Sequence, residues 1–154
     1  MSPHSDQAPI LIIEDDSKTA ALIALYLEKE GYRTLVAYDG ETALQMAKNQ
    51  KPMFVVLDLM LPRLDGWEVC RRLRKTSEVP ILILTAYQTA QNAIAALRGG
   101  AFDFIVKGLK REMLLNAVAR AVERRHLTLE NRRLMEELRA RLDATLAPPA
   151  ASAR

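Results

Sequence analysis

Between residues 10 and 109 the chain alternates short apolar-rich runs with amphipathic segments, five times over. The runs are Ile10–Ile13, Arg33–Ala37, Phe54–Leu57, Ile81–Leu84 and Phe102–Val106. Each is too short for a helix and reads as a strand, and Ile10–Ile13, apolar throughout, reads as one buried on both faces. Between them the spacing predicts helices. Ser17 caps one that runs to Glu30, with Ala21, Leu22, Leu25 and Tyr26 as its apolar face and Gly31 as its stop. Asp39 caps a second that runs to Asn49, with Ala43, Leu44 and Ala47 on one face. A third follows Asp65-Gly66 to Arg74 and buries Val69, Cys70 and Leu73, and a fourth covers Ala90–Arg98 before Gly99-Gly100. Buried strands joined by helical crossovers imply an α/β fold, a doubly wound, five-stranded parallel sheet of flavodoxin type with strand order 2-1-3-4-5.

In such a sheet ligands sit beyond the carboxyl ends of the strands. Glu14, Asp15 and Asp16 follow the first strand, Asp58 ends the third, Thr85 the fourth and Lys107 the fifth. Facing carboxylates repel, and a hard divalent cation relieves that repulsion. A carboxylate can also attack phosphorus to give an acyl phosphate. Mg²⁺, the Lys107 ammonium and the Thr85 hydroxyl would then neutralise the phosphoryl oxygens. Taken singly, Asp-Asp before a helix is ordinary capping, and a Thr or Lys at a strand end is ordinary surface. Their joint place on one side of the sheet points to a site.

The motifs Glu14-Asp15-Asp16, Asp58-Leu59-Met60-Leu61-Pro62-Arg63-Leu64-Asp65-Gly66, Thr85-Ala86 and Lys107 resemble the receiver domain of two-component response regulators, over residues 9–125. The resemblance implies Asp58 as phosphoacceptor from a sensor histidine kinase or phosphotransfer protein. It implies Asp15, Asp16, Asp58 and the Met60 carbonyl as ligands of Mg²⁺, with Mn²⁺ as the alternative ion. It implies Thr85, Lys107 and the aromatic Phe104 as phosphate-binding and switch residues. Met60 and Tyr87 fall where the family tunes access of water to the phosphoryl group. The family usually has Lys-Pro after the fifth strand; here it is Lys107-Gly108. Residues 9–84 look most like winged-helix (OmpR/PhoB-type) regulators. Residues 85–140 look more like nitrogen-regulator (NtrC-type) receivers, which puts in doubt the winged-helix regulators' dimer face of fourth helix, fifth strand and fifth helix.

From Arg111 to Ala144 there is no Gly or Pro, enough for roughly 50 Å of helix. Leu127, Asn131, Leu134 and Leu138 follow the 4-3-4 spacing of a coiled-coil seam, short at about two heptads. The rival reading is a charged helix that packs on its own domain. The expected organisation is a receiver at 9–125, a helical extension at 126–145, and disordered tails at 1–8 and 147–154. It is either a stand-alone receiver or a chain cut within a linker.

Composition narrows the function classes. The net charge of +3 divides into −1 over residues 1–109 and +4 over 110–154, where acids interleave with the arginines. That is a mixed-charge helix surface rather than a nucleic-acid footprint. The single cysteine, Cys70, excludes an intramolecular disulfide framework and a Cys-rich zinc site. The polar start MSPHSDQAP has no signal-peptide core, and no apolar run approaches the roughly 18–20 residues of a membrane span, so the reading is cytoplasmic with no membrane partner. The expectation is a phosphoacceptor that catalyses only its own phosphorylation and dephosphorylation, not an enzyme with a separate substrate. It would act as a homodimer through the last helix or the face beside it. Two rivals stand against it. An aspartate-nucleophile phosphatase would need a second Asp where Met60 stands. A degenerate receiver, working as a phosphorylation-independent interaction module, is favoured only by Gly108.

Overall fold

The computed structural model describes residues 7–86, 95, 97–108 and 110–146. Five strands, β1 (Ile10–Ile13), β2 (Thr34–Ala37), β3 (Phe54–Asp58), β4 (Ile81–Thr85) and β5 (Asp103–Val106), form one parallel sheet in the order β2-β1-β3-β4-β5. The expected topology is therefore the observed one. The registers Ile13↔Leu57, Asp58↔Leu84 and Thr85↔Val106 bring the carboxyl ends of the central strands level. Of the expected helices, α1 (Ser17–Lys29), α2 (Gly40–Gln50) and α3 (Gly66–Thr76) form, and a C-terminal helix runs from Arg111 to Leu146. Most of the fourth expected helix lies outside the described residues; Ala95, Leu97 and Arg98 are helical.

Every residue of β1, β3 and β4 is buried, as strands covered on both faces must be. Leu11, Ile13, Val55, Leu57, Ile81 and Ile83 share one apolar cluster with Ala43 of α2 and with Val69, Cys70 and Leu73 of α3. Ile10, Ile12, Val56, Leu82 and Leu84 alternate to the other face of the sheet. Buried in the other two helices are Ala20, Ile23 and Leu27 of α1, and Leu114, Ala117, Val118 and Ala121 of the C-terminal helix.

The expected face of α1 is corrected here. Ala21, Leu22 and Leu25 are exposed, and the buried stripe is Ala20, Ile23 and Leu27. The segment Ala20–Leu27 is almost wholly apolar, so helical spacing alone allows two stripes, and the sheet selects one.

The chain divides into two compact units, residues 1–121 and 122–154. The sheet and its site belong to the first. In the second, every described residue from Glu123 to Leu146 is exposed. Among the described residues no helix is long and apolar enough to cross a membrane.

Candidate functional site

The site is assembled from the ends of β1, β3, β4 and β5. Asp58, the last residue of β3, is fully buried, and its Oδ1 accepts from the Met60 N–H at 3.1 Å. Its Oδ2 accepts from Lys107 Nζ, also at 3.1 Å. Glu14 follows β1 directly and is fully buried; its Oε1 lies 3.5 Å from the same Nζ and receives the Asp16 N–H at 3.4 Å. Asp15 is exposed beside it, and Glu14, Asp15 and Asp58 each offer a carboxylate oxygen within 4.8 Å of the others. Thr85 closes β4, buried, and its carbonyl accepts from the Lys107 N–H at 2.7 Å, which ties the end of β5 to the end of β4.

The expected ligand Asp16 stands outside this carboxylate group. It is the N-cap of α1: its side chain accepts from both the backbone N–H and the hydroxyl of Thr19. Those bonds, the hydroxyl first, hold its carboxyl below the usual range. The place expected of Asp16 in the acidic set is taken by Glu14, which the sequence grouped with the other two acids without giving it a role. Asp39 and Asp65 cap α2 and α3 by accepting from Thr42 N–H and Glu68 N–H.

The electrostatics are those of a crowded acidic site with one cation. Burial, and then the neighbouring charge of Asp58, push the Glu14 carboxyl up to about 7, against the pull of Lys107. Burial alone would lower the Lys107 ammonium. The Asp58 hydrogen bond and charge, with Glu14 behind them, outweigh it and leave Lys107 above its ordinary value. Among the described residues the buried Glu14 Oε2 has no hydrogen-bond partner. A buried, unpartnered carboxylate oxygen among two further carboxylates is costly by itself and fits a hard cation taking oxygen ligands. The chemistry of the donor set therefore suits Mg²⁺ or Mn²⁺.

The other expected site residues fall as follows. The Met60 side chain is 58% exposed at the rim. Phe104 is partly buried against the apolar cluster, and its N–H donates to Asp103 Oδ1 at 2.8 Å. Tyr87 lies outside the described residues. The Lys107–Gly108 bond is trans and Gly108 has φ of 101°, a left-handed conformation natural to glycine and closed to proline. With this trans bond Lys107 still reaches Asp58. The seam residues Leu127, Leu134 and Leu138 are about half exposed and Asn131 is exposed.

Comparison with known proteins agrees with this geometry. The family model described as response regulator receiver domain matches residues 10–119. The transcriptional regulatory protein AfsQ1 of Streptomyces coelicolor is 41% identical over 116 residues, which is 75% of this chain and 51% of the relative. The response regulator MprA of a Mycobacterium species is 44% identical over 117 residues, 75% of this chain and 50% of its own length. The chain thus spans about half the length of the curated relatives it matches. Among solved structures, the Francisella response regulator 1452 receiver domain superposes with a TM-score of 0.73 at 32% identity, covering 77% of this chain and 98% of its own. NtrX from Brucella abortus gives a TM-score of 0.77 at 32% identity, covering 82% of this chain and 29% of its own.

Proposed function

Because the chain belongs to the response regulator receiver family, we propose that it is a phosphorylation switch with Asp58 as phosphoacceptor. The observation that carries this reading is the contact of Lys107 Nζ with Asp58 Oδ2 at 3.1 Å inside a group of three carboxylates. An Asp58 oxygen attacks the phosphorus of a histidine kinase or phosphotransfer protein's phosphohistidine. The O–P bond forms as the N–P bond breaks, and the departing imidazole nitrogen takes up a proton. Glu14, Asp15 and Asp58, with the Met60 carbonyl, would hold the divalent cation. When bound, that cation supplies positive charge to the transferring phosphoryl oxygens.

Lys107 already faces Asp58 and would hold a second fixed positive charge against the phosphoryl group. The Thr85 hydroxyl, at the adjoining strand end, would bond a phosphoryl oxygen. Phosphorylation then shifts an existing equilibrium between two arrangements of the domain. Phe104 turns inward as Thr85 closes on the phosphate, and Met60 and Tyr87 screen the acyl phosphate from water. The readout is the face of the fourth expected helix, β5 and the C-terminal helix, together with the helical extension. The chain turns over no separate substrate and works in the cytoplasm as a homodimer, without binding nucleic acid itself.

The acidic set is complete and Lys107 is in place despite Gly108, so the structure gives no support to the degenerate module. The test is the intact mass of the chain after incubation with Mg²⁺ and a small P–N donor, phosphoramidate. The expected result is one added phosphoryl group, labile to hydroxylamine and absent from Asp58→Asn. Uptake by Asp58→Asn equal to wild type, or none by wild type with Mg²⁺ present, would overturn the reading.

A further inference from the structure

The backbone around Lys107 is fixed on both sides. Its N–H donates to the Thr85 carbonyl at 2.7 Å, beside the Thr85↔Val106 register that ends the sheet. Further on, the Lys110 carbonyl accepts from the Met113 and Leu114 N–H groups at 3.1 and 3.3 Å, and Leu114 is fully buried in the first turn of the C-terminal helix. Sheet and helix are each held by contacts of their own, so the short connection between them has to make the turn. Gly108 makes it with φ of 101°, across a trans bond. An L-residue is disfavoured at such a φ by the crowding of its own Cβ against its own backbone. The surroundings add nothing to that cost, because a Cβ at Gly108 would meet no described atom within 4 Å. Gly108 differs in this from Gly66, where neighbouring backbone fills the space.

The consequence falls on the neighbouring side chain. Lys107 Nζ meets two buried acids, Asp58 Oδ2 at 3.1 Å and Glu14 Oε1 at 3.5 Å. Its stem is long and flexible, so the direction in which the backbone launches it decides how often the ammonium meets Asp58. We propose that Gly108 is a positioning residue for phosphoryl transfer: its left-handed backbone sets the line along which Lys107 reaches Asp58, and an L-residue in its place draws the ammonium away. With the helix held, a change of φ at Gly108 swings the peptide that follows Lys107, while the Thr85 bond holds the peptide before it. The torsions of Lys107 absorb the difference. Gly108 itself takes no part in the chemistry, and the bonds made and broken at phosphorus are those already given. The proposal deepens the receiver reading and rests on it. A glycine that merely eased the turn into the helix would affect stability and leave the transfer rate of the folded chain unchanged.

The test uses the full chain with Gly108→Asn, Gly108→Ala and Gly108→Val, each made with Lys107 intact and with Lys107→Ala. Asparagine tolerates a positive φ better than alanine, and valine worst, although asparagine is larger than alanine, so the series separates backbone from bulk. The initial rate of phosphoryl uptake from phosphoramidate with Mg²⁺ is read by intact mass and expressed per folded molecule. Gly108→Ala is expected to slow uptake by about 5- to 30-fold, the left-handed cost of an L-residue expressed as a rate; Gly108→Asn should slow it less and Gly108→Val at least as much. In the Lys107→Ala background, itself slow, the three substitutions should change nothing further. Without Mg²⁺ or donor, reductive methylation of Lys107 Nζ, read by peptide mass, should quicken in Gly108→Ala and Gly108→Val as the ammonium leaves the two acids. Four results would overturn the proposal: uptake unmoved by Gly108→Ala and Gly108→Val, an order that follows side-chain size, equal slowing with and without Lys107, or a Lys107→Ala chain as fast as wild type. Unchanged methylation would overturn it as well. All of these leave the Asp58-dependent uptake of the wild type in place. Loss of that uptake, or its survival in Asp58→Asn, sinks the receiver reading instead.

Discussion

Leucine has two fates in this chain. Leu11, Leu57, Leu82 and Leu84 are between 0 and 1% exposed, whereas Leu127, Leu134 and Leu138 are about half exposed. The first group sits in strands whose two faces are both covered by helices from the same chain. The second sits on a helix whose unit contains nothing else described to cover it. The first unit is specified by its own contacts, and its stability belongs to the monomer. The apolar face of the second is covered by none of the described residues, so it adds little to the stability of the single chain.

That comparison can be broken at Gly66, where the largest effect on folding is expected. A Cβ at Gly66 would stand 2.5 Å from the Asp58 carbonyl oxygen and 2.6 Å from Leu59 Cα, both backbone atoms that cannot swing aside. Gly66→Ala should therefore cost the first unit about 2–3 kcal/mol. Leu134→Ala, at a half-exposed position, should cost the dilute monomer no more than about 0.5 kcal/mol. Urea unfolding followed by the fluorescence of Trp67, the sole tryptophan and the neighbour of Gly66, checks both. Equal shifts in the two variants would mean that the two units do not differ in the way argued.

Within the first unit the fold was legible and the acidic set only partly so, for one physical reason. The apolar runs over Ile10–Ile13, Phe54–Leu57 and Ile81–Leu84 need two covered faces whatever the rest of the chain does, so they announce the sheet. The roles of three consecutive acids depend on where the strand stops and the helix starts, a matter of one residue. The signal that decides it was present: Asp16-x-x-Thr19 repeats the pattern of Asp39-x-x-Thr42, and both aspartates are caps. Reading Ser17 as the cap hid that repeat, left Asp16 as a ligand and left Glu14 unassigned. The stripe chosen on α1 fails differently, since Ala20–Leu27 offers two apolar faces and only the sheet decides between them.

A smaller effect sharpens the role of Glu14 against Asp16. The folded chain holds the Glu14 proton up to about pH 7, against an ordinary value of 4.5. The native state therefore binds this proton more tightly than the unfolded chain does. Without a cation, stability should fall as pH rises from about 4.5 to 7 and stay low above it. Lys107, shifted upward from 10.5, stays charged across that window and adds no slope there. Glu14→Gln should flatten the profile, and Mg²⁺ should raise the melting temperature more at about pH 8 than at about pH 5, where a proton competes for the same oxygen. Asp16→Asn, which keeps a capping oxygen, should retain the Mg²⁺ response. Thermal melts across pH with and without Mg²⁺ measure all three. An unchanged slope in Glu14→Gln, or a Mg²⁺ response lost in Asp16→Asn, would return the ligand role to Asp16.

The smallest expected effect lies at Arg63, in the loop between β3 and α3. Arg63 has φ of 65°, in the left-handed region, and it is exposed. An L-residue pays about 1–2 kcal/mol there. Glycine would remove that cost but return about 0.4–1 kcal/mol through a freer unfolded chain. Arg63→Gly should thus stabilise the first unit by a few tenths to about 1 kcal/mol, visible as a higher urea midpoint at unchanged slope. The arginine side chain is not idle, because its charge is among the smaller influences that lower the Asp39 carboxyl. Arg63→Ala separates the two contributions. It loses the charge and keeps the backbone strain, so it should not share the gain of the glycine variant. If the alanine variant gained as much, the left-handed backbone would not be the source of the cost, and Arg63 would be a charge effect alone.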